Sequence, residues 1–383
     1  AQEDETASRI ARILAEERPP MKDISAVIET VRAEQGLRTS GKQESAVRTA
    51  FLYNLSIITG SPGTGKTTVL KIILEVYRRM HPDRKIVLMA PTGRASRRMA
   101  ESTGFDGACT LHSGLGLVSE EDEGSRGRKK DSLDADLVIV DEFSMVDMWL
   151  AGKFFPALKE GAKTVLVGDP DQLPSVGPGN VFSDLIRSGR VATVCLTEIF
   201  RQAQASAIVR TAHTINQGQL PDLRNQPDSD FFFMRRRDPE SLVELVVELC
   251  QKRLPGNMGI PASQIQVLCP TRKGPWGTGV MNRALQAALN PPAADKRQIV
   301  WGEMVFRTGD RVMQIRNNYD VLWVREDGET GAGIFNGDVG VVEEIDPCGE
   351  LLTVCFDGRT ATYTAEMLLE LELAYAVTVH KSQ

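Results

Sequence analysis

Three short, strongly apolar runs organise the first half of the chain: Leu55 to Thr59, Leu137 to Val140 and Thr164 to Val167. Runs of this length without polar alternation predict strands buried on both faces, as in a parallel sheet. Between about residues 50 and 200 such runs alternate with helical periodicity. Strands are expected to end near Gly60, Ala90, Asp141 and Asp169, with another over Thr193 to Leu196. That alternation predicts an α/β unit with helices on both faces of a parallel sheet. Ahead of it, residues 5 to 35 read as two polar amphipathic helices separated by Pro19 and Pro20.

After Gln226 the pattern changes. Asp238 and Pro239 read as an N-cap and first helical residue, with Leu242, Leu245, Val246 and Leu249 along one apolar face. Gln264 to Cys269 is a strand candidate that delivers PTRKGPWGTG onto a loop, so a second α/β unit begins here. From about Phe306 the pattern becomes β: Arg311 to Ile315, Val339 to Ile345, and Leu351 to Phe356 turning through Asp357-Gly358 into Thr360 to Thr364. These segments predict a small β-barrel within the second unit, and Leu373 to Val379 returns to a buried strand. Between Leu117 and Leu133 an insert carries four acids followed by Arg126, Arg128, Lys129 and Lys130. It reads equally as a hairpin aimed at nucleic acid or as a solvated loop.

At 383 residues with 42% hydrophobic content, the chain is expected to hold two or three ordinary domains. The six cysteines are scattered without ligand spacing and read as reduced thiols of a cytosolic protein. No apolar stretch is long enough to span a membrane, and the acidic opening AQEDETAS does not read as a signal or transit peptide. Starting at alanine, the chain reads as a piece of something longer. A net charge of −6 neither indicates nor forbids nucleic-acid binding, because a local basic groove decides that.

The chemistry begins at residues 60 to 67, GSPGTGKT, which match the phosphate-binding loop at every fixed position between a strand and a helix. Gly60, Pro62, Gly63, Thr64 and Gly65 curl the backbone so that several N–H groups face one anion, and Thr68 continues into the helix. Lys66 is expected to reach the β- and γ-phosphates of a nucleoside triphosphate, and the Thr67 hydroxyl to hold Mg²⁺. Asp141 and Glu142 leave a buried strand at the ligand-binding edge of the sheet. Asp141 suits the magnesium ion and Glu142 the orientation and deprotonation of an attacking water. In GDPDQLPSVGPG, residues 168 to 179, a proline-braced loop presents Gln172 as a sensor of the terminal phosphate.

With these motifs in order, the chain resembles superfamily-one helicases, and in particular the RecD-like DNA helicases. The resemblance runs through Gln43 in GKQESAV, GSPGTGKT, MAPTGRAS, TLHSGLG, VDEFSMVD, GDPDQLPSVGPGNVF, TEIFRQ, PTRKGPWG, FNGDVG and YAVTVHKSQ. It implies an α/β fold of two RecA-like lobes with parallel sheets and ATP between them. Residues 1–35 would form an N-terminal helical segment, 36–230 lobe one with a pin insert at about 117–133, and 231–383 an incomplete lobe two with an SH3-like β-barrel at about 332–371. It implies that Gln43 reads the adenine edge and that Arg201 acts as an arginine finger. Pro91, Thr92, Gly93, Arg94, Thr110 and His112 would contact DNA from lobe one. Asn317, Asn318, Thr378, His380 and Ser382 would do so from lobe two. Trp276 and Phe335 read as stacking or core aromatics.

The activity so implied is ATP-driven movement along single-stranded DNA, 5′ to 3′, with unwinding of duplex DNA in repair or recombination. The expected setting is the bacterial cytoplasm, with single-strand-binding or recombination proteins as partners and no membrane. Two other readings stay open: a motor subunit within a recombination nuclease complex, and a P-loop switch that does not act on nucleic acid. Against the switch, the chain lacks NKxD and LSGGQ motifs; separately, no nuclease-type carboxylate cluster is evident, so intrinsic nuclease activity is not expected. The family pattern continues past Gln383 to a further arginine, so this piece is expected to bind nucleotide but hydrolyse it poorly.

Overall fold

The computed structural model describes residues 2–16, 24–105, 107–117, 132–198 and 206–381. The chain divides into two compact units, Ala1–Phe233 and Met234–Gln383.

The first unit is built on six parallel strands: β1 (Leu55–Gly60), β2 (Ile86–Ala90), β3 (Cys109–Thr110), β4 (Leu137–Val140), β5 (Lys163–Gly168) and β6 (Ala192–Leu196). They lie in the order β3-β2-β4-β5-β1-β6. Successive side chains on each strand enter opposite cores. Ile57, Val138, Val140 and Leu166 join one core, where Phe143, Phe154, Phe155 and Phe182 pack. Ile58, Ile139, Val165 and Val167 join the other, against helices Ser25–Gln35, Gly41–Leu52 and Lys66–Met80. Burial on both faces explains why these strands read as unbroken apolar runs. Truncating any one of the buried phenylalanines to alanine is worth about 3–5 kcal/mol.

The two N-terminal helices, Gln2–Ala15 and Ser25–Gln35, do not stand apart as a segment of their own. Ile10 and Ile13 enter the first core, and Ile24, Ile28 and Val31 the second. Arg9 also donates to the carbonyl oxygens of Phe155 (3.4 Å) and Leu158 (2.8 Å), satisfying the free end of helix Met148–Ala157. Nearly all of the 117–133 insert lies outside the described residues.

In the second unit Asp238 caps helix Pro239–Glu248 through a 2.8 Å bond from the Ser241 N–H. Parallel pairing among the described residues is confined to Val267–Cys269 with Ala376–Thr378. The strand expected over Gln264 to Cys269 is thus shorter, since Ala262–Gln264 form a 3₁₀ turn. Most of the unit is a seven-stranded antiparallel sheet with strands from Arg311–Gln314 to Leu371–Leu373, wider than the 332–371 barrel expected. Asp357 and Gly358, both at positive φ, make the hairpin turn anticipated there.

The continuous strand expected over Leu373 to Val379 is instead two strands in different sheets. Asn282 holds the break: its Nδ2 donates to the Leu373 (2.7 Å) and Ala376 (3.0 Å) carbonyls, and its Oδ1 accepts the Ala376 N–H at 2.7 Å. Strands Asn318–Arg325 and Thr330–Ile334 were not legible as a pair. TGAGI has the wrong composition for a strand, but Gly331 is required because a Cβ there would lie 2.2 Å from the Trp323 ring.

Candidate nucleotide site and nucleic-acid edge

Strand β1 runs into a loop whose Gly63 and Gly65 both take positive φ, which lets the backbone turn before helix Lys66–Met80 begins. Gly60 has no room for a side chain, since a Cβ would meet Thr64 Oγ1 at 2.6 Å and the Leu196 carbonyl at 2.8 Å. Lys66 Nζ donates to the Gly60 carbonyl at 2.5 Å, so the ammonium lies over the mouth of the loop. Thr64 is buried and its hydroxyl donates to the Ser61 carbonyl at 2.8 Å. Pro62, Gly63 and Thr67 are exposed, and Thr68 is half-buried.

Gln43 has a second use that the sequence did not announce. It is 2% exposed; its Oε1 accepts the Ser40 N–H at 2.9 Å in a capping box, and its Nε2 donates to the Thr64 carbonyl at 3.2 Å. The residue therefore ties helix Gly41–Leu52 to the phosphate loop. One amide hydrogen and one lone pair remain for a ligand.

At the carboxyl ends of β4 and β5 three acids gather. Asp141 Oδ1 accepts the Glu142 N–H at 2.9 Å. Burial pushes the Asp141 carboxyl above the ordinary range, opposed by that backbone N–H and by Lys66 and Arg98. Burial raises Glu142 too, and the neighbouring Asp141 and Asp169 raise it further. Asp169 is 3% exposed and also raised by burial; its carboxylate accepts the Asp171 N–H at 3.1 Å and its carbonyl the Gln172 N–H at 3.2 Å. Asp169 stands where the sequence placed it, at the carboxyl end of β5, but the sequence reading gave it no role in the site. Asp141 and Glu142 are half-buried and Asp169 buried; no cluster of three or more metal-ligating side chains forms among the described residues, and Thr67 and Asp141 are the residues whose oxygens could serve a cation bound with a ligand.

The loop after β5 is fastened down. Ser175 donates to the carbonyls of Gly177 (3.0 Å) and Gly179 (2.9 Å), and the Met148 N–H donates to the Pro178 carbonyl at 2.9 Å. Asp147 caps helix Met148–Ala157 through the Leu150 N–H at 2.8 Å, directly beneath Gly177.

Next to these acids, Thr92 caps helix Gly93–Thr103 by accepting the Ala95 N–H (3.2 Å), and Thr110 accepts the Ser113 N–H (3.1 Å). Accepting these bonds leaves each hydroxyl its own proton to donate. Pro91 is half-buried, Gly93 buried and Arg94 exposed. His112 is half-buried and stacks on Trp149.

In the second unit Asn317 is exposed, and its Oδ1 accepts the Asn336 N–H at 3.0 Å. The Asn318 amide is turned to Glu370 at 3.0 and 3.1 Å, which commits it to the sheet. Thr378 is half-buried at the end of its strand, and His380 is exposed. Phe335 meets Tyr319 edge-on at 5.4 Å, and Trp276 is 44% exposed. Arg201 and Ser382 lie outside the described residues.

Phosphate loop, strand-end acids and the loop after β5 lie on one edge of a parallel sheet, the arrangement of a P-loop nucleotide-binding fold. Residues 43–178 match the AAA domain family, and residues 281–356 match the ATP-dependent RecD-like DNA helicase SH3 domain. The chain is 34% identical over 352 residues to the ATP-dependent RecD2 DNA helicase of Deinococcus radiodurans, covering 92% of this chain and 44% of that protein. It is 28% identical to the RecBCD enzyme subunit RecD of Mycolicibacterium smegmatis, covering 89% and 63%. Among solved structures, Bacteroides Pif1 bound to single-stranded DNA matches with a TM-score of 0.51 at 21% identity, over 91% of this chain and 84% of that one. Pif1 helicase from Candida albicans matches with 0.51 at 20%, over 91% and 86%. The chain is similar to the RecD-like helicases over most of its own length, and it spans roughly half the length of these curated relatives.

Proposed function

We propose that this chain is the motor portion of an ATP-driven DNA helicase, which moves along single-stranded DNA and separates duplex ahead of it. The observation that carries this reading is the seating of the Gln172 loop on Asp169, whose carbonyl accepts the Gln172 N–H at 3.2 Å and whose carboxylate accepts the Asp171 N–H at 3.1 Å, beside Glu142. It gives the loop between nucleotide and nucleic-acid residues a direct contact with the hydrolytic acids. Lys66 and the phosphate-loop amides bind the triphosphate, Glu142 orients a water and takes its proton, and Gln172 registers the γ-phosphate. Gln43 offers its remaining hydrogen and lone pair to adenine, and Arg201 stabilises charge developing on the leaving phosphate. Thr67 and Asp141 would hold Mg²⁺, which would neutralise charge on the phosphate oxygens.

Thr92, Arg94, Thr110 and His112, with Asn317, Thr378, His380 and Ser382, hold the strand. Loss of the γ-phosphate changes the grip and moves the protein, in the 5′-to-3′ sense by likeness to the family. No helix among the described residues is long and apolar enough to cross a membrane, and we place the activity in the bacterial cytoplasm. The relatives named as RecBCD subunits favour a second reading, a motor subunit that works beside recombination partners.

The test is ATP hydrolysis by this chain, alone and extended to the length of its relatives, with and without single-stranded DNA. Stimulation supports the motor, and an identical rate overturns it in favour of a switch. Lys66→Ala should abolish turnover in either form.

A further inference from the structure

Trp149 is the only tryptophan of the first unit, and at 45% exposed it lies on the surface. Its ring is stacked on His112, with centroids 6.2 Å apart and planes 26° from parallel. Such an offset arrangement holds an aromatic plane in one orientation. Burial keeps the His112 imidazole below its ordinary pKa, so near neutral pH the pair consists of two uncharged rings. Stacking on bases suits flat uncharged rings that are half open to solvent.

The position of Trp149 is also fixed from below. It follows Asp147 and Met148, the residues that cap its helix and receive the Gly177–Pro178 segment of the sensor loop. His112 follows Thr110, whose hydroxyl faces the nucleic-acid edge described above. One side of the aromatic pair thus belongs to the strand-gripping residues and the other to the loop that contacts Asp169.

We propose that Trp149, backed by His112, is a stacking platform for one unpaired base of single-stranded DNA, and that it links base contact to the sensor loop. This rests on the motor reading above. Phosphate contacts from Thr92, Arg94 and Thr110 fix the backbone without regard to the base, whereas the platform adds a term that needs a base present. The term is sequence-tolerant, as a protein moving along DNA requires.

The experiment is equilibrium binding of the 383-residue chain to a fluorescein-labelled oligothymidylate and to an abasic oligomer of the same length. Trp149→Ala should weaken the thymidylate complex by about 5- to 100-fold. Trp149→Phe should recover most of that loss, which shows that a fold defect is not its source. The abasic oligomer should bind wild type and Trp149→Ala alike. Thymidylate affinities within two-fold of each other, or equal losses on both oligomers, overturn the platform while leaving the motor reading intact. A wild-type chain that binds neither oligomer overturns both.

Discussion

Glu142 sits at φ 50, ψ 38, a left-handed conformation that a non-glycine residue holds at a cost of about 1–2 kcal/mol. The strain is maintained by the bond from its own N–H to Asp141 and by the 3₁₀ turn Phe143–Met145 that follows. It aims a carboxylate back over the acids of β4 and β5, where burial and then Asp141 raise its pKa. The proposed base must be ionised, so hydrolysis should fall on acidification at a pH above the ordinary glutamate range. Glu142→Gln should cut kcat by about 10²- to 10⁴-fold while ATP binding persists. Normal turnover in that variant would show that the base lies elsewhere.

The same shift bears on stability. A carboxyl whose pKa is raised on folding contributes stability below its unfolded pKa and loses that contribution as pH rises through the folded value. At neutral pH the ionised acids therefore oppose folding. Glu142→Gln is expected to raise the melting temperature at pH 7 to 8, with the gain shrinking as the buffer is acidified toward pH 4. A variant that melts lower than wild type at pH 8 would show that the carboxylate is compensated within the fold.

At the scale of elements, the sensor loop depends on one glycine. A Cβ at Gly177 would collide with Oδ2 of Asp147, whose other oxygen, Oδ1, caps helix Met148–Ala157. Gly177→Ala must displace either the cap or the loop. The expected cost is about 0.5–2 kcal/mol in a denaturant titration, together with a reduced DNA stimulation of ATP hydrolysis. Unchanged values for both would mean that the loop is not seated on that helix.

Elements of this kind were unevenly legible. The strands β1, β4 and β5 were readable because burial on both faces leaves no polar alternation, Ser56, Thr59 and Thr164 being buried with their apolar neighbours, and the phosphate loop because its chemistry is local in sequence. Gln43 to Thr64, Gln172 to Asp169 and His112 to Trp149 are contacts across 21, 3 and 37 positions; only the fold reveals their geometry. The Asn318–Arg325 and Thr330–Ile334 pair escaped for a different reason. Its Gly331 is explained by the Trp323 ring beside it, a packing constraint with no periodicity to read.

At the scale of the whole molecule, the described candidate nucleotide ligands, Gln43 through Gln172, all belong to the first unit, while the second has its own cores. Ligand that binds only the folded first unit stabilises it by RT ln(1 + [L]/Kd), about 2.7 kcal/mol at a hundredfold excess over Kd. The second unit gains nothing by this route. The tryptophans allow the two to be watched separately, since Trp276, Trp301 and Trp323 all lie in residues 234–383. In Trp149→Phe, tryptophan emission then reports the second unit alone, and far-ultraviolet circular dichroism reports both. Addition of ATP and Mg²⁺ without DNA should raise the dichroism transition of the first unit and leave the emission transition in place. If emission shifts equally, nucleotide binding is already coupled to the second unit before DNA is present, and the DNA-dependent step of the motor must be sought after that coupling rather than in it.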